Sequence, residues 1–202
     1  AKTFANAGAA VALLDMDQLG AEREARSLTS EGHEAIGLLC DVTDEKACRD
    51  AIETVITELG GVDVLINNAG ITQRDAFANT EVSVYRKVMD VNFFGSLHCT
   101  KAALSSLVER QGTIIVISSI GGVVPILGRS GYSASKFALH GLFGVLSAEL
   151  RADGVQVLMV CPTFVKTNLQ TRALGGDGEV TTHPQSTTGK VDTAEDVADA
   201  VF

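Results

Sequence analysis

Short apolar runs alternate with longer amphipathic stretches along almost the whole sequence. The runs are rich in β-branched residues and leucine and cover residues 11–14, 36–40, 64–66, 113–117 and 155–160. An uninterrupted apolar run of this length is typical of a strand that is covered on both faces. The stretches 18–30, 45–59, 81–109 and 132–152 are typical of helices, and we expect a last helix to begin near Ala194.

Strands that alternate with helices join through right-handed crossovers into a doubly wound parallel sheet. The sequence therefore predicts a three-layer α/β/α fold. Its 202 residues, 46% of them hydrophobic, can build one domain spanning residues 1–202. Residues 174–190 are rich in Gly and Thr and predict a long irregular segment. We expect residues 168–190 to form a mobile substrate-binding loop within the domain.

The segment SIGGVVPILGRSGYSASK begins at Ser119 and ends at Lys136, and it contains Tyr132. Side chains four residues apart on a helix rise from one face, with Cβ atoms about 5–6 Å apart. A lysine in that position can bind a cofactor's hydroxyls and stabilise a tyrosinate, so that a phenol with a pKa of about 10 exchanges protons nearer neutrality. The spacing alone is a weak signal, because an amphipathic tyrosine beside a solvated lysine is common on helices.

Further motifs accompany this pair in a fixed order along the chain. They are CDVTD from Cys40, NNAG from Asn67, VMDVNFFG around Asn92, and CPTFVKT from Cys161. In this order, the chain resembles the classical short-chain dehydrogenase/reductase family over essentially its whole length. The resemblance implies a Rossmann-like fold and hydride transfer between a nicotinamide cofactor and an alcohol or carbonyl carbon.

The resemblance also implies the catalytic roles. Ser119 would bind the substrate oxygen, Tyr132 would transfer its proton, and Lys136 would bind the nicotinamide ribose. Asn92 would support a water that leads protons to solvent, although an asparagine there could equally satisfy a mid-helix kink. Ser118 is the alternative hydroxyl, but strand alternation places it on the opposite face, and the thirteen-residue offset from Tyr132 favours Ser119.

The remaining family positions bind the cofactor. Asp41 and Val42 match the adenine site, the turn after the next strand approaches the ribose, and the segment near Cys161 binds the carboxamide. The family usually has Pro-Gly where this chain has Pro162-Thr163, so the resemblance does not predict the backbone conformation at this point. The implied cofactor-binding residues are Asp15, Asp41, Val42, Asn67, Ala69, Gly70, Tyr132, Lys136, Pro162, Val165 and Thr167.

Asp15 directly follows the first apolar run and suggests the cofactor type. A carboxylate there can accept hydrogen bonds from the adenosine ribose and would repel a 2'-phosphate. The sequence therefore favours NAD, with NADP the less favoured alternative. Either Asp15 or Asp17 could instead cap the next helix, and Asp17 can do so while Asp15 binds the ribose.

The family places a first strand and a TGxxxGxG turn before the helix-like AKTFANAGA segment at the start of this sequence. We expect such a segment to precede the chain in the natural protein. We also expect the sheet to show a gap between the strand at Val11 and the strand at Val64. A final edge strand is expected after Phe202.

The substrate is less well defined by the sequence. Residues 123–127, with Ile71 and Phe77, predict an apolar wall that suits a small-molecule alcohol or carbonyl substrate, as in a 3-oxoacyl thioester reductase or a sugar or hydrophobic alcohol dehydrogenase. Arg74 and Arg129 could bind an acidic group, but isolated arginines are usually solvated. Two alternatives stay open: a catalytically idle dinucleotide-binding scaffold, and an epimerase or dehydratase of the extended relatives.

Charge and composition argue against several partners. A net charge of −9 disfavours nucleic acid and anionic membrane, and no apolar run approaches the length of a membrane span, so we expect a cytoplasmic protein. The four cysteines are widely spaced and predict buried, reduced thiols without a metal. The family that the chain resembles commonly assembles through the helices that match residues 81–109 and 132–152, so the resemblance implies a homodimer or homotetramer. Gly141 and Gly144 would allow close approach there, and apolar residues around the second helix favour a partner, although loops of the same chain could cover that helix instead.

Overall fold

The computed structural model of the protein describes residues 1–185, 187 and 189–202, so that part of the predicted loop 168–190 lies outside the described residues. The strands are β1 (Val11–Asp15), β2 (Ala35–Leu39), β3 (Val64–Asn67), β4 (Thr113–Ile117), β5 (Gln156–Val160), β6 (Phe164–Val165) and β7 (Val191–Asp192). The helices are α1 (Lys2–Asn6), α2 (Gln18–Ser30), α3 (Glu45–Leu59), α4 (Val82–Met89), α5 (Gly95–Glu109), α6 (Ser130–Glu149) and α7 (Ala194–Val201).

Local signals explain where the helices begin and end. The Asp17 carboxylate accepts from the backbone N–H of Gly20 and caps α2, and Asp44 caps α3 in the same way. Helix α3 ends at Gly60, whose φ of 81° lies in the left-handed region. The predicted helix 81–109 is divided into α4 and α5 by a π-helical turn, Asp90–Phe94.

The parallel strands form separate hydrogen-bonded groups, β1 with β2 and β3 with β4 and β5. Within the described residues no ladder joins β1 to β3. The expected gap in the sheet is therefore present. The short pair β6 and β7 is also parallel and lies apart from both groups.

Helices lie on both sides of the strands, which gives the predicted doubly wound α/β architecture. Helices α3, α5 and α6 enclose the main core, where Leu107, Ile114 and Phe143 are fully buried. Helix α2 packs on the opposite face of β1 and β2. Gly37 permits this approach, because a Cβ there would lie 2.5 Å from the carbonyl carbon of Ala21.

The prediction that the strands are covered on both faces is wrong for part of β3 and β5. Val64, Ile66 and Leu158 are exposed, because α2 reaches only the β1–β2 pair on that side. No helix in the described part of the chain is long and apolar enough to cross a membrane.

The predicted loop is partly ordered by backbone contacts. Residues 173–176 are buried, and the N–H of Arg74 donates to the carbonyl of Leu174 at 2.7 Å. The N–H of Glu81 donates to the carbonyl of Gly176 at 2.8 Å. This part of the loop is thereby held against the segment that follows β3.

Candidate active site

Tyr132 and Lys136 lie on the first turns of α6, facing the carboxyl end of β4. Both are deeply buried, with 6% and 5% of their surfaces exposed. The Lys136 ammonium donates to the carbonyl of Ile117, at the end of β4, over 2.7 Å. It lies 5.8 Å from the centre of the Tyr132 ring. The two side chains therefore share one helix face, as their spacing predicts.

Ser119 follows β4 and faces the tyrosine. Its hydroxyl oxygen accepts from the N–H of Gly121 at 3.1 Å, which leaves its own O–H free to donate. Ser118 instead pairs with Nε2 of His140 at 2.9 Å. Of the two hydroxyls, Ser119 is thus the one beside Tyr132.

Asn92 lies in the π-helical turn and is fully buried. Its Oδ1 accepts from the N–H of Ile71 at 2.8 Å, and its amide donates to the Ile71 carbonyl at 3.0 Å and to the Ser135 hydroxyl at 2.8 Å. Both amide N–H donors are used, so Asn92 joins the segment after β3 to α6. A π turn of this kind often marks a functional site.

Burial dominates the electrostatics of the pair. It raises the pKa of Tyr132 above the ordinary value of a phenol, although the Ser119 hydroxyl and the Arg129 charge act in the opposite direction. Burial also lowers the pKa of Lys136 to about 8, partly opposed by Cys161. The expectation that the lysine brings the Tyr132 pKa towards neutrality is therefore wrong for the protein without ligand, because desolvation of the phenolate outweighs it.

The turn after β3 approaches the catalytic pair. A Cβ on Gly70 would lie 3.3 Å from Oδ1 of Asn92 and 3.7 Å from Nζ of Lys136, so glycine keeps space for a ligand at this point. The Asn67 side chain is buried and donates to the Thr100 hydroxyl at 3.0 Å, whereas Ala69 is exposed. Asn67 therefore fixes the turn, and the backbone of the turn is left to contact a ligand.

Asp15 and Asp41 lie at the same edge, at the ends of the paired strands β1 and β2. Oδ1 of Asp15 accepts from the N–H of Asp17 at 2.9 Å, and the side chain is exposed. Asp41 accepts from the N–H and the hydroxyl of Thr43. The carbonyl of Val42 accepts from Nδ1 of His98 at 2.9 Å, which attaches this loop to α5.

The segment after β5 borders the same centre. The carbonyl of Pro162 accepts from the N–H of Ile120 at 2.9 Å, next to Ser119. Val165 lies in β6, and its carbonyl accepts from the side-chain amide of Gln170. The Thr167 hydroxyl accepts weakly from the N–H of Leu169 at 3.4 Å. The residues that could hold a nicotinamide dinucleotide therefore line one edge of the strands, and their donor and acceptor groups fit that ligand.

The apolar wall is divided between two places. Phe77, Pro125, Ile126, Leu127 and Phe137 contribute to an apolar cavity of about 710 Å³, whose lining does not include Ser119 or Tyr132. Ile71 instead packs into a small cluster with Val84, Val88 and Leu174. The cavity is therefore beside the reaction centre rather than at it.

Sequence reasoning missed a buried cation next to Tyr132. Arg129 is only 9% exposed, so the expectation that it is solvated is wrong. It is buried because its guanidinium reaches the Thr72 hydroxyl, at 3.1 Å, from a residue 57 positions earlier in the chain. Arg74 is half-buried and donates to the carbonyl of Gln170 at 3.0 Å.

The cysteines are free thiols, as predicted. Cys40, Cys48 and Cys99 are buried together, with Sγ–Sγ distances of 3.9 Å from Cys40 to Cys48 and 3.7 Å from Cys48 to Cys99. Cys161 is only partly buried and lies 3.8 Å from Nε2 of His140. The prediction of burial therefore holds for three of the four.

Comparisons with known proteins agree with this geometry. A family model described as short chain dehydrogenase matches residues 1–175. Dehydrogenase/reductase SDR family member 7B of Xenopus tropicalis is 37% identical over the whole of this chain, which covers 68% of that protein. The member 7B protein of Mus musculus is 39% identical, and the chain covers 64% of it. The chain thus spans about two thirds of the length of these curated relatives.

Solved structures are similar in fold. A gluconate 5-dehydrogenase from Burkholderia cenocepacia, in complex with NADP and tartrate, superposes with a TM-score of 0.80 at 29% identity, over 84% of this chain and 67% of that one. An alcohol dehydrogenase from the archaeon Thermococcus sibiricus superposes with a TM-score of 0.85 at 24% identity, over 99% of this chain and 81% of that one. Both likenesses support the Rossmann-like fold.

Proposed function

The chain belongs to the short chain dehydrogenase family, a family of oxidoreductases, and we propose that it interconverts a secondary alcohol and a ketone with NAD(P). One observation carries the proposal: a phenol, an ammonium and a hydroxyl with a free O–H are buried together beside the edge at which a dinucleotide fits. Nothing in the packing of α6 requires Tyr132 and Lys136 at these positions, since each buries a polar group that apolar residues could replace.

The residues divide the proton chemistry among them. NAD(P), when bound, supplies or accepts the hydride. Tyr132 keeps its proton at neutral pH, because burial raises its pKa, and can donate that proton to the oxygen of a carbonyl during reduction. Ser119 directs its free O–H at the same oxygen. In the oxidative direction, Tyr132 would first release its own proton to solvent and then, as the phenolate, accept the proton of the alcohol.

Lys136 connects this chemistry to the cofactor. One of the three N–H donors of its ammonium is used by the carbonyl of Ile117, and the other two are free to bind the nicotinamide ribose. Asn92 fixes the segment of Ile71 against α6, and so holds the site in shape. It would act on a proton-relaying water through the remaining acceptor capacity of its Oδ1.

We propose NAD as the preferred cofactor, because Asp15 directs an exposed carboxylate from the end of β1, where it can accept from a ribose and repel a phosphate. The gluconate 5-dehydrogenase neighbour was solved with NADP, which supports the opposite preference. Asp41, Val42, Ala69 and Gly70 would complete the adenosine side of the site.

The substrate class is a small-molecule alcohol or carbonyl, as for a 3-oxoacyl thioester reductase or a sugar or hydrophobic alcohol dehydrogenase. We also propose a cytoplasmic homodimer or homotetramer. Phe137 of α6 is 42% exposed, and both Gly141 and Gly144 have open space where a Cβ would be, which supports a close helix contact between subunits.

The reaction can be tested with a matched pair of tyrosine variants, because the chain has two tyrosines. Tyr132→Phe should lower kcat by about 10² or more with NAD(H) binding unchanged, since only the proton donor is lost. Tyr85→Phe removes an equivalent hydroxyl, which pairs with Ser130, and should keep full activity. Full activity of Tyr132→Phe would refute the proposed mechanism. Ser119→Ala should likewise lower kcat more than cofactor affinity.

A further inference from the structure

Arg129 is a deeply buried cation that has no anionic partner among the residues the structure describes. It precedes Tyr132 by three residues and is the residue before the first turn of α6, with 9% of its surface exposed. Among the described residues, no carboxylate lies within 4.0 Å of its guanidinium. By contrast, the guanidinium of the exposed Arg110 forms a bidentate ion pair with the carboxylate of Asp63. A charged side chain this deeply buried is almost always paired.

The guanidinium of Arg129 has five N–H donors, and a single protein hydrogen bond uses one of them. Its partner is the neutral Thr72 hydroxyl. A buried charge satisfied by one neutral hydrogen bond carries a desolvation cost that its contacts do not offset. The donors that remain are available to an anion from outside the chain.

Arg74 adds a second positive charge to the same place. The N–H of Asp75 donates to the carbonyl of Gly128 at 3.0 Å, which holds the segment of Arg74 against that of Arg129. Burial lowers the pKa of Arg129, and the charge of Arg74 lowers it further. The Nε of Arg74 is buried without a hydrogen-bond partner. An anion that accepts hydrogen bonds from both guanidinium groups would stabilise both charges.

The nearest acid in sequence cannot act as that anion. Asp75 accepts from the N–H of Ala76 at 2.7 Å through one oxygen and from the N–H of Gly176 at 3.1 Å through the other. The Asn79 amide also donates to Asp75 at 3.2 Å. Its carboxylate is therefore used to hold the loop, and these hydrogen bonds lower its pKa.

We propose that Arg129, together with Arg74, binds the carboxylate of the substrate, so that the enzyme acts on oxo acids and the corresponding hydroxy acids. The inference rests on the proposed function and assigns its substrate class. The two oxygens of a carboxylate can accept two parallel hydrogen bonds from the planar guanidinium. The same contact would place the carbonyl of an oxo acid near Tyr132, since Arg129 is the N-cap residue of the helix that carries Tyr132 and precedes that tyrosine by three residues.

The test compares short oxo acids with their methyl esters, which keep the reacting carbonyl and lose the charge. With NADH or NADPH, the wild type should prefer each acid over its ester by about 10- to 100-fold in kcat/KM, as expected for hydrogen bonds to a charged group. Arg129→Gln should abolish that preference, because kcat/KM for the acid falls more than kcat/KM for its ester, mainly through KM. Arg23→Gln is the control, because it removes an exposed arginine with the same change of charge. It should change kcat/KM for neither the acid nor its ester.

Folding provides a second readout, because a purely structural arginine would behave differently. Arg129→Met should leave the melting temperature of the ligand-free protein unchanged or raise it, since the variant removes an unpaired buried charge. A lower melting temperature with equal losses for acid and ester would assign Arg129 a structural role and overturn the inference.

Calorimetry separates this inference from the proposed function. An oxo acid should bind the wild-type complex with cofactor at least about tenfold more tightly than the Arg129→Gln complex. If this holds without turnover of any compound, the carboxylate site is supported and the proposed reaction fails. If the wild type reduces the esters but neither binds nor reduces the acids, the reaction stands and the carboxylate site is refuted.

Discussion

Replacing Lys136 by methionine should stabilise the ligand-free protein while abolishing its activity. The ammonium of Lys136 is buried at 5% exposure, and its protein hydrogen bond is to the carbonyl of Ile117. Methionine has similar length, no charge and a good fit to irregular cores. The variant therefore removes a desolvated charge whose proposed function is to bind the cofactor.

The size of the effect follows from the pKa of Lys136, which burial lowers from 10.5 to about 8. At 1.36 kcal/mol per unit, charging the buried amine costs about 3 kcal/mol. The loss of the hydrogen bond to Ile117 opposes this by about 1 kcal/mol. Lys136→Met should therefore raise the free energy of unfolding by about 2 kcal/mol at pH 7, or its melting temperature by about 4–8 °C in a domain of this size.

The sign of the pH dependence is fixed by the same shift. Between pH 8 and 10.5 the folded wild type has lost the Lys136 proton and the unfolded chain retains it, so wild-type stability rises with pH in that window. The free energy of unfolding of Lys136→Met, relative to that of the wild type, should therefore fall by about 3 kcal/mol between pH 8 and 10.5. Below pH 8 this difference should be constant.

Urea unfolding of the ligand-free wild type and variant at several pH values measures both quantities. Lys87→Met, which removes an exposed lysine from α4, is the control and should change stability by less than about 0.5 kcal/mol. A Lys136→Met protein that is less stable than the wild type at pH 7 would refute the reasoning. The reasoning would also be refuted if the difference in free energy of unfolding between variant and wild type did not change between pH 8 and 10.5.

Three further predictions concern the cofactor, the π turn and assembly. Asp15→Ala should narrow the ratio of kcat/KM for NAD over NADP by about tenfold, and a wild-type preference for NADP would contradict the argument from Asp15. Asn92→Leu leaves the backbone N–H and carbonyl of Ile71 unpaired. Urea unfolding should show a free energy of unfolding lower by about 3 kcal/mol or more. A loss below about 1 kcal/mol would show that the π turn does not depend on the Asn92 amide. Phe137→Glu should give a monomer in light scattering, and a wild type that is already monomeric at micromolar concentration would exclude this interface.

Local patterns predicted the elements of the fold well. The bounds of α2, α3 and β4 agree with the apolar periodicity, since Asp17 and Asp44 are strong caps and β4 is a clear β-branched run. The π turn was not predictable in this way, because the pattern of a helix continues on both sides of it. A π turn differs from the flanking α-helices in its i→i+5 backbone hydrogen bonds, which residue types do not reveal.

The chemistry of the site depended on contacts that are distant in sequence. The segment GRSG around Arg129 has the composition of a solvated turn. The contact that accompanies burial of this arginine is with Thr72, 57 residues away in sequence, and could not be predicted from the local pattern. The pKa of Tyr132 was predicted from its neighbour Lys136, yet desolvation by the whole surrounding fold determines its direction. Residue types indicated which groups take part, and burial decided their charge.

The polar groups of this site are costly to the ligand-free fold. Arg129, Tyr132 and Lys136 lie within eight consecutive residues at the start of α6, and each is at least nine-tenths buried. Selection for stability alone would replace such groups by apolar residues, since an incompletely paired buried charge is destabilising. Under the proposed function, bound ligands supply the missing partners, and binding should return the lost stability. NAD(H) and an oxo acid should each raise the melting temperature, and both together should raise it by about the sum of the two separate shifts, because each ligand pairs a charge that the other leaves buried. A combined shift no larger than that of either ligand alone would refute this compensation by bound ligands.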